Sequence, residues 1–104
     1  HFFENKKQFT AIVCANDEMA SGVMKCAREH NFELPKDLAI VGFDNVHFTS
    51  YLYPTLTTID NPVEQMGKMA ANLVLRDIYK QNRADIEHIF SPNLMMRDST
   101  PRSN

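Results

Sequence analysis

The chain predicts an α/β domain in which short buried strands lie parallel and helices cover them. Three apolar runs carry this prediction: Phe9-Thr10-Ala11-Ile12-Val13-Cys14-Ala15, Leu38-Ala39-Ile40-Val41-Gly42-Phe43 and Leu56-Thr57-Thr58-Ile59. Runs this short and this continuously apolar suit strands covered on both faces, as parallel strands are. A segment of helical period separates the first two, which makes a strand, helix, strand crossover. Each run also stops at short polar side chains: Asn16-Asp17, Asp44-Asn45 and Asp60-Asn61. The carboxyl ends of parallel strands open into one crevice, so polar groups placed there converge on a small ligand. Amides and carboxylates suit a ligand rich in hydroxyls.

The elements follow in order. Residues 17–30 read as a helix with Met19, Ala20, Val23, Met24 and Ala27 on one face, acids Asp17 and Glu18 at its start and Arg28 and His30 at its end. That charge order matches the helix dipole. Phe32 to Asp37 is a turn, because Pro35 cannot continue a helix and biases Leu34 toward an extended backbone. Val46 to Tyr53 is a short aromatic-rich segment stopped by Pro54. A long helix over roughly Pro62 to Gln81 carries Val63, Met66, Ala70, Leu73, Val74 and Ile78 at three- and four-residue steps. Asn61 is placed as its cap, Pro62 at its first position, and Glu64 with Lys68 as an exposed pair. Ile86 to Met96 is a last extended stretch interrupted by Pro92, which suits an edge strand, and the polar tail from Asp98 is expected to fray.

At 104 residues with 43% hydrophobic and 23% charged side chains, the chain can bury a core. Its formal charge is −2 and its 11 basic residues are scattered, which lacks the footprint of a nucleic-acid-binding domain. No apolar run reaches bilayer length and no signal-peptide pattern is present, so no membrane partner is expected. Cys14 and Cys26 fit neither a redox pair nor a zinc site; two reduced thiols favour the cytoplasm. His30, His47 and His88 show no metal spacing, no Gly-rich phosphate loop exists among three glycines, and no serine sits in a nucleophile elbow. Neither a metal nor a cofactor is expected, and no enzymatic chemistry. The start at His1 and the polar run Glu4 to Gln8 suggest a piece of a longer protein.

Taken together, Thr10 to Ala20, Leu34-Pro35-Lys36-Asp37 running on to Asp44-Asn45, and Pro54-Thr55-Leu56-Thr57-Thr58-Ile59 resemble the effector domain of the lac/galactose repressor family. The likeness covers about Gln8 to Asp98, and Tyr51 with Phe90-Ser91-Pro92-Asn93-Leu94 resembles the galactose repressor and isorepressor branch. This resemblance implies part of a periplasmic-binding-protein-like bilobed fold, with parallel sheets flanked by helices and a sugar, galactose among the candidates, held between lobes. Residues 1–60 would belong to the C-terminal lobe, 61–96 to the hinge crossing, an N-terminal-lobe helix and the return strand, and 97–104 to a tail. A helix-turn-helix domain and about half the core would lie upstream, and operator DNA would be touched only through that domain.

By the same resemblance Asn16, Asp44 and Asn61 are the effector-binding residues, and Phe48, Tyr51 and Leu52 lie in a segment that contributes to a homodimer contact. Simpler roles stand beside these: Asn16 or Asp17 can cap the first helix, Asp44 the segment after it and Asn61 the long helix, while Phe48, Tyr51, Leu52, Met66 and Met69 can be plain core. Asn45 departs from the second acid common in the family, and Asp60 stands where a basic or neutral residue is frequent. The expected function is the effector-binding and dimerisation part of a cytoplasmic transcriptional repressor. The alternative is a periplasmic sugar-binding protein of a transporter or chemoreceptor.

Overall fold

The computed structural model describes residues 9–79 and 89–102 of the chain. The described elements run β1 (Ala11–Val13), α1 (Asp17–Glu29), β2 (Ala39–Val41), a 3₁₀ turn (His47–Ser50), β3 (Thr58–Asp60), α2 (Val63–Tyr79) and β4 (Asn93–Met95). They fall into two compact units, one built from residues up to Asp60 and from Asn93 onward, the other from Asn61–Pro92.

In the first unit β1 and β2 pair in parallel, with Ala11 opposite Ala39 and Val13 opposite Val41. A parallel bridge from Val41 to Thr57 extends the order toward β3, and the bond from Gly42 N to the Thr57 carbonyl (2.9 Å) continues it. The strand, helix, strand crossover therefore forms as the sequence predicts. The final strand differs from a wholly parallel sheet: β4 runs antiparallel to β3, Thr58 facing Met95 and Asp60 facing Asn93.

Helix α1 covers this sheet because its buried positions, Ala20, Met24 and Ala27, recur at helical spacing. They meet Leu38, Ile40, Leu56, Phe32 and Cys14 in one core, with Phe9, Ile12, Val23, Leu34 and Leu52 packed around it. Met19, expected on the same face, is instead exposed. The helix ends with Asn31 in the left-handed region (φ 63°), while Phe32 N reaches back to the Ala27 carbonyl (2.9 Å) and Phe32 itself is buried. Asparagine tolerates that conformation, so the stop is local chemistry. Burial pushes the Cys14 thiol above its ordinary value, and both cysteines are free thiols.

The tail is not frayed over residues 97–100. Ser99 is fully buried, donating from Oγ to the Ile40 carbonyl (2.6 Å) and accepting from Thr57 N (2.8 Å). Its own carbonyl takes Ile40 N (3.0 Å), and its amide donates to the Thr55 carbonyl (2.8 Å). Polar composition misled the expectation: short hydroxyl side chains here satisfy backbone groups that a sheet edge would otherwise leave open.

In the second unit α2 keeps the predicted apolar stripe, and the Glu64–Lys68 pair forms at 3.3 Å. Core burial of that stripe is not found: Val63, Met66, Val74 and Ile78 are all exposed. Val13 on β1 is likewise 76% exposed, and β1 pairs only with β2 among the described residues. An open strand edge and a bare apolar helix face favour pairing with other chains. The 104-residue chain is therefore expected to self-associate at micromolar concentration. Light scattering that read a monomer with a single cooperative unfolding transition would contradict this.

Candidate functional site

The carboxyl ends of β1 and β2 and the first residue of β3 meet around one buried carboxylate. Asp17, the first residue of α1, is 1% exposed. Its Oδ1 accepts from Thr58 Oγ1 on β3 (2.6 Å) and its Oδ2 from Val46 N (2.8 Å). Its amide donates to the Phe43 carbonyl (3.0 Å), so one residue ties the helix start to the turn after β2 and to β3. The approach is close enough that only glycine fits at position 42. A Cβ there would overlap Asp17 Oδ1 and stand 3.1 Å from Leu56 Cδ2.

That scaffold holds the Asp44-Asn45 turn in an unusual shape. Asp44 has φ 106° and Asn45 φ 53°, both in the left-handed half of conformational space. Asparagine visits this region at little cost, whereas φ 106° is strained for a residue with a Cβ. The bonds from Asp44 N to the Ile59 carbonyl (2.9 Å) and from Asn45 N to Thr58 Oγ1 (3.2 Å) keep the turn in place. The Asp44 side chain is exposed and has no hydrogen-bond partner among the described residues. Strain held by a rigid frame, with a bare carboxylate at its tip, is a common signature of a binding position.

Behind the turn, Asn45 bridges two charges. Its Nδ2 donates to Asp60 Oδ1 (3.2 Å), and its Oδ1 accepts from Arg97 Nη2 (2.9 Å). Arg97 also donates through Nη1 to Thr49 Oγ1 (2.8 Å) and the Leu56 carbonyl (3.0 Å). Asn45 and Asp60 thus form one hydrogen-bonded pair: an amide at 45 accepts from the arginine and still serves a carboxylate at 60. A recess of about 250 Å³ lies beside them, lined by Arg97, Asn45 and the 3₁₀ turn.

The predicted site residues are placed as follows. Asn16 is half-buried and caps α1, its Oδ1 accepting from Met19 N (2.8 Å), which leaves its Nδ2 without a partner among the described residues. Asn16→Ala is expected to cost about 1 kcal/mol of stability, while Asn16→Asp retains the cap; thermal unfolding of both variants checks this. Asn61 does not cap the long helix through its side chain. The helical ladder begins with Met66 N donating to the Pro62 carbonyl (3.0 Å), while Asn61 contributes its carbonyl to Val63 N (2.7 Å). Proline supplies no N–H and starts the helix from its carbonyl alone, one position later than predicted. Of the aromatic segment, Tyr51 is 80% and Phe48 37% exposed, whereas Leu52 packs on the core.

Sequence reasoning passed over Asp17 as a binding partner of Thr58, and Arg97 and Ser99 altogether. No metal-holding group of three or more His, Cys, Asp or Glu exists among the described residues, and no described helix is long and apolar enough to cross a membrane.

The model of the periplasmic binding protein-like domain matches residues 3–100. The chain belongs to this family. Within it, the HTH-type transcriptional regulator RegA of Clostridium saccharobutylicum is 33% identical over 100 residues, 96% of this chain and 30% of RegA. The HTH-type transcriptional regulator GalR of Salmonella typhimurium (strain LT2) is 38% identical over 93 residues, 89% of this chain and 27% of GalR. A LacI family transcriptional regulator from Lactobacillus casei with bound sucrose superposes with a TM-score of 0.80 at 27% identity, covering 88% of this chain and 33% of that one. The likeness read from the three strand-end motifs is therefore a likeness to LacI-family regulators. The chain spans about 30% of the length of RegA and 27% of GalR.

Proposed function

We propose that this chain is part of the effector-binding and dimerisation domain of a LacI-type transcriptional repressor that responds to a sugar, galactose being the first candidate, and that it performs no chemistry. The observation that carries the reading is the Asp44 turn: an unpartnered carboxylate held at strained φ at the carboxyl end of β2. Relatives named as transcriptional regulators, one of them GalR, and a neighbour holding sucrose support the ligand class.

In this reading Asp44 accepts two sugar hydroxyls, and Asn16 offers the Nδ2 that its cap leaves over. Asn61 is the third proposed effector residue, through a carboxamide that has no partner among the described residues. Residues 1–60 supply the C-terminal-lobe part, 61–96 the hinge, one helix and the return strand, and 97–104 the segment after it. Phe48 and Tyr51 face a second subunit with Leu52 behind them. Operator DNA is met through a helix-turn-helix domain elsewhere in a cytoplasmic protein. A sugar that binds one arrangement of the lobes more tightly shifts the protein toward it, by no more than the difference in its two affinities.

Titration calorimetry on the intact protein with D-galactose and a panel of sugars, paired with operator binding in their presence and absence, tests this. Sugar-dependent heat with a changed operator affinity is expected. Sugar binding in an exported protein with no operator affinity would favour the periplasmic transport reading, and turnover of any sugar would overturn both.

A further inference from the structure

The guanidinium of Arg97 is only partly satisfied. Thr49 Oγ1 and Asn45 Oδ1, 3.5 Å apart, take one proton each from Nη1 and Nη2, and the Leu56 carbonyl takes the second from Nη1. Three of five donors are thereby used, all on neutral acceptors. The Nε–H and the second Nη2–H have no acceptor among the described residues, and Arg97 makes no ion pair there. Those two protons form the side edge of the fork, the edge that matches a carboxylate or phosphate with two parallel bonds. Arg97 is half-buried, so its charge is shielded from water without a carboxylate to compensate it. The nearest compensation by hydrogen bonds runs through Asn45 to Asp60.

Arg97 also lines the polar recess of about 250 Å³, together with Asn45, His47, Thr49, Ser50 and Tyr51. We propose that this recess binds a small oxyanion, a carboxylate or phosphate group that presents two oxygens to the Nε and Nη2 edge of Arg97. Ser50, whose hydroxyl is spent only on the His47 carbonyl (3.2 Å), stands at the rim and can turn its O–H to the same anion. The site shares no residue with Asn16, Asp44 or Asn61, so it stands whether or not a sugar is the effector, and it shares only Tyr51 with the proposed dimer contact.

The intact protein is titrated with inorganic phosphate, with acetate, and with sodium chloride at matched ionic strength. Amide shifts of residues 45–51 and the Arg97 Nε–H resonance are followed. Saturable shifts with a dissociation constant of about 1–10 mM are expected for at least one oxyanion and not for chloride. Saturation by phosphate alone identifies a tetrahedral ligand; saturation by acetate identifies a carboxylate. Arg97→Lys keeps the charge but loses the fork and is expected to weaken binding about tenfold. Ser50→Glu leaves every Arg97 bond intact and sets a like charge at the rim, so it should weaken binding at least about fivefold even if the lysine variant does not fold. Equal shifts from chloride, no saturation by either oxyanion, or unchanged affinity in Ser50→Glu would each overturn the proposal.

Discussion

Asp17→Ala is expected to destabilise the protein by roughly 3–5 kcal/mol. Two hydrogen bonds to a buried carboxylate vanish at once, each worth about 1.5–3 kcal/mol, and Val46 N is left without an acceptor. Asp17→Asn should cost far less, roughly 1–2 kcal/mol. An amide can keep Val46 on its oxygen and donate to Thr58 Oγ1, which has lone pairs for that bond and for the one from Asn45 N. Gly42→Ala attacks the same contact from the other side, and overpacking of this kind costs about 1–3 kcal/mol or more. The two changes should not add. With Asp17 truncated to alanine, the worst overlap of the new methyl group is gone, although Leu56 Cδ2 at 3.1 Å and Asp17 Cα at 3.3 Å remain tight. Urea unfolding of the two singles and the double, made in the intact protein, closes the cycle, and strict additivity would show that Asp17 Oδ1 is not what excludes a side chain at position 42.

This contact also marks how far the sequence could be read. The strand, helix, strand order was legible because apolar runs and helical spacing are properties of neighbours in the chain. So was the place of Asn16, since a side-chain oxygen before an acidic first turn is a local signal. Asp17 next to it looked equally like a cap. What decides between them is a glycine 25 positions on and a threonine 41 positions on, and no local pattern carries that distance. Arg97 and Ser99 were hidden for the same reason, their partners lying in 40–58 while their own neighbourhood is merely polar. The α2 stripe failed in the opposite direction. Its period is real, yet periodicity states which face seeks cover, and only the structure shows that Val63, Met66, Val74 and Ile78 stay exposed among the described residues while Leu73 is half-buried.

Asp44→Ala is expected to weaken sugar binding by the intact protein about 10–100-fold, the loss of one or two charge-assisted hydrogen bonds, with little change in stability. The side chain has no protein partner to lose, so affinity and stability should part company. Asp44→Gly sharpens the test. At φ 106° a Cβ is a liability, and glycine removes it at the cost of a freer unfolded chain. Stability should therefore hold or rise by up to about 1 kcal/mol while affinity falls as far as in the alanine variant. A turn aspartate with no ligand role would give the stability result alone. Opposite signs in the two measurements, calorimetric affinity down and melting temperature level or up, are what a strained contact residue requires. Unchanged affinity in both variants would remove Asp44 from the site and leave the turn as a purely structural feature of the β2 exit.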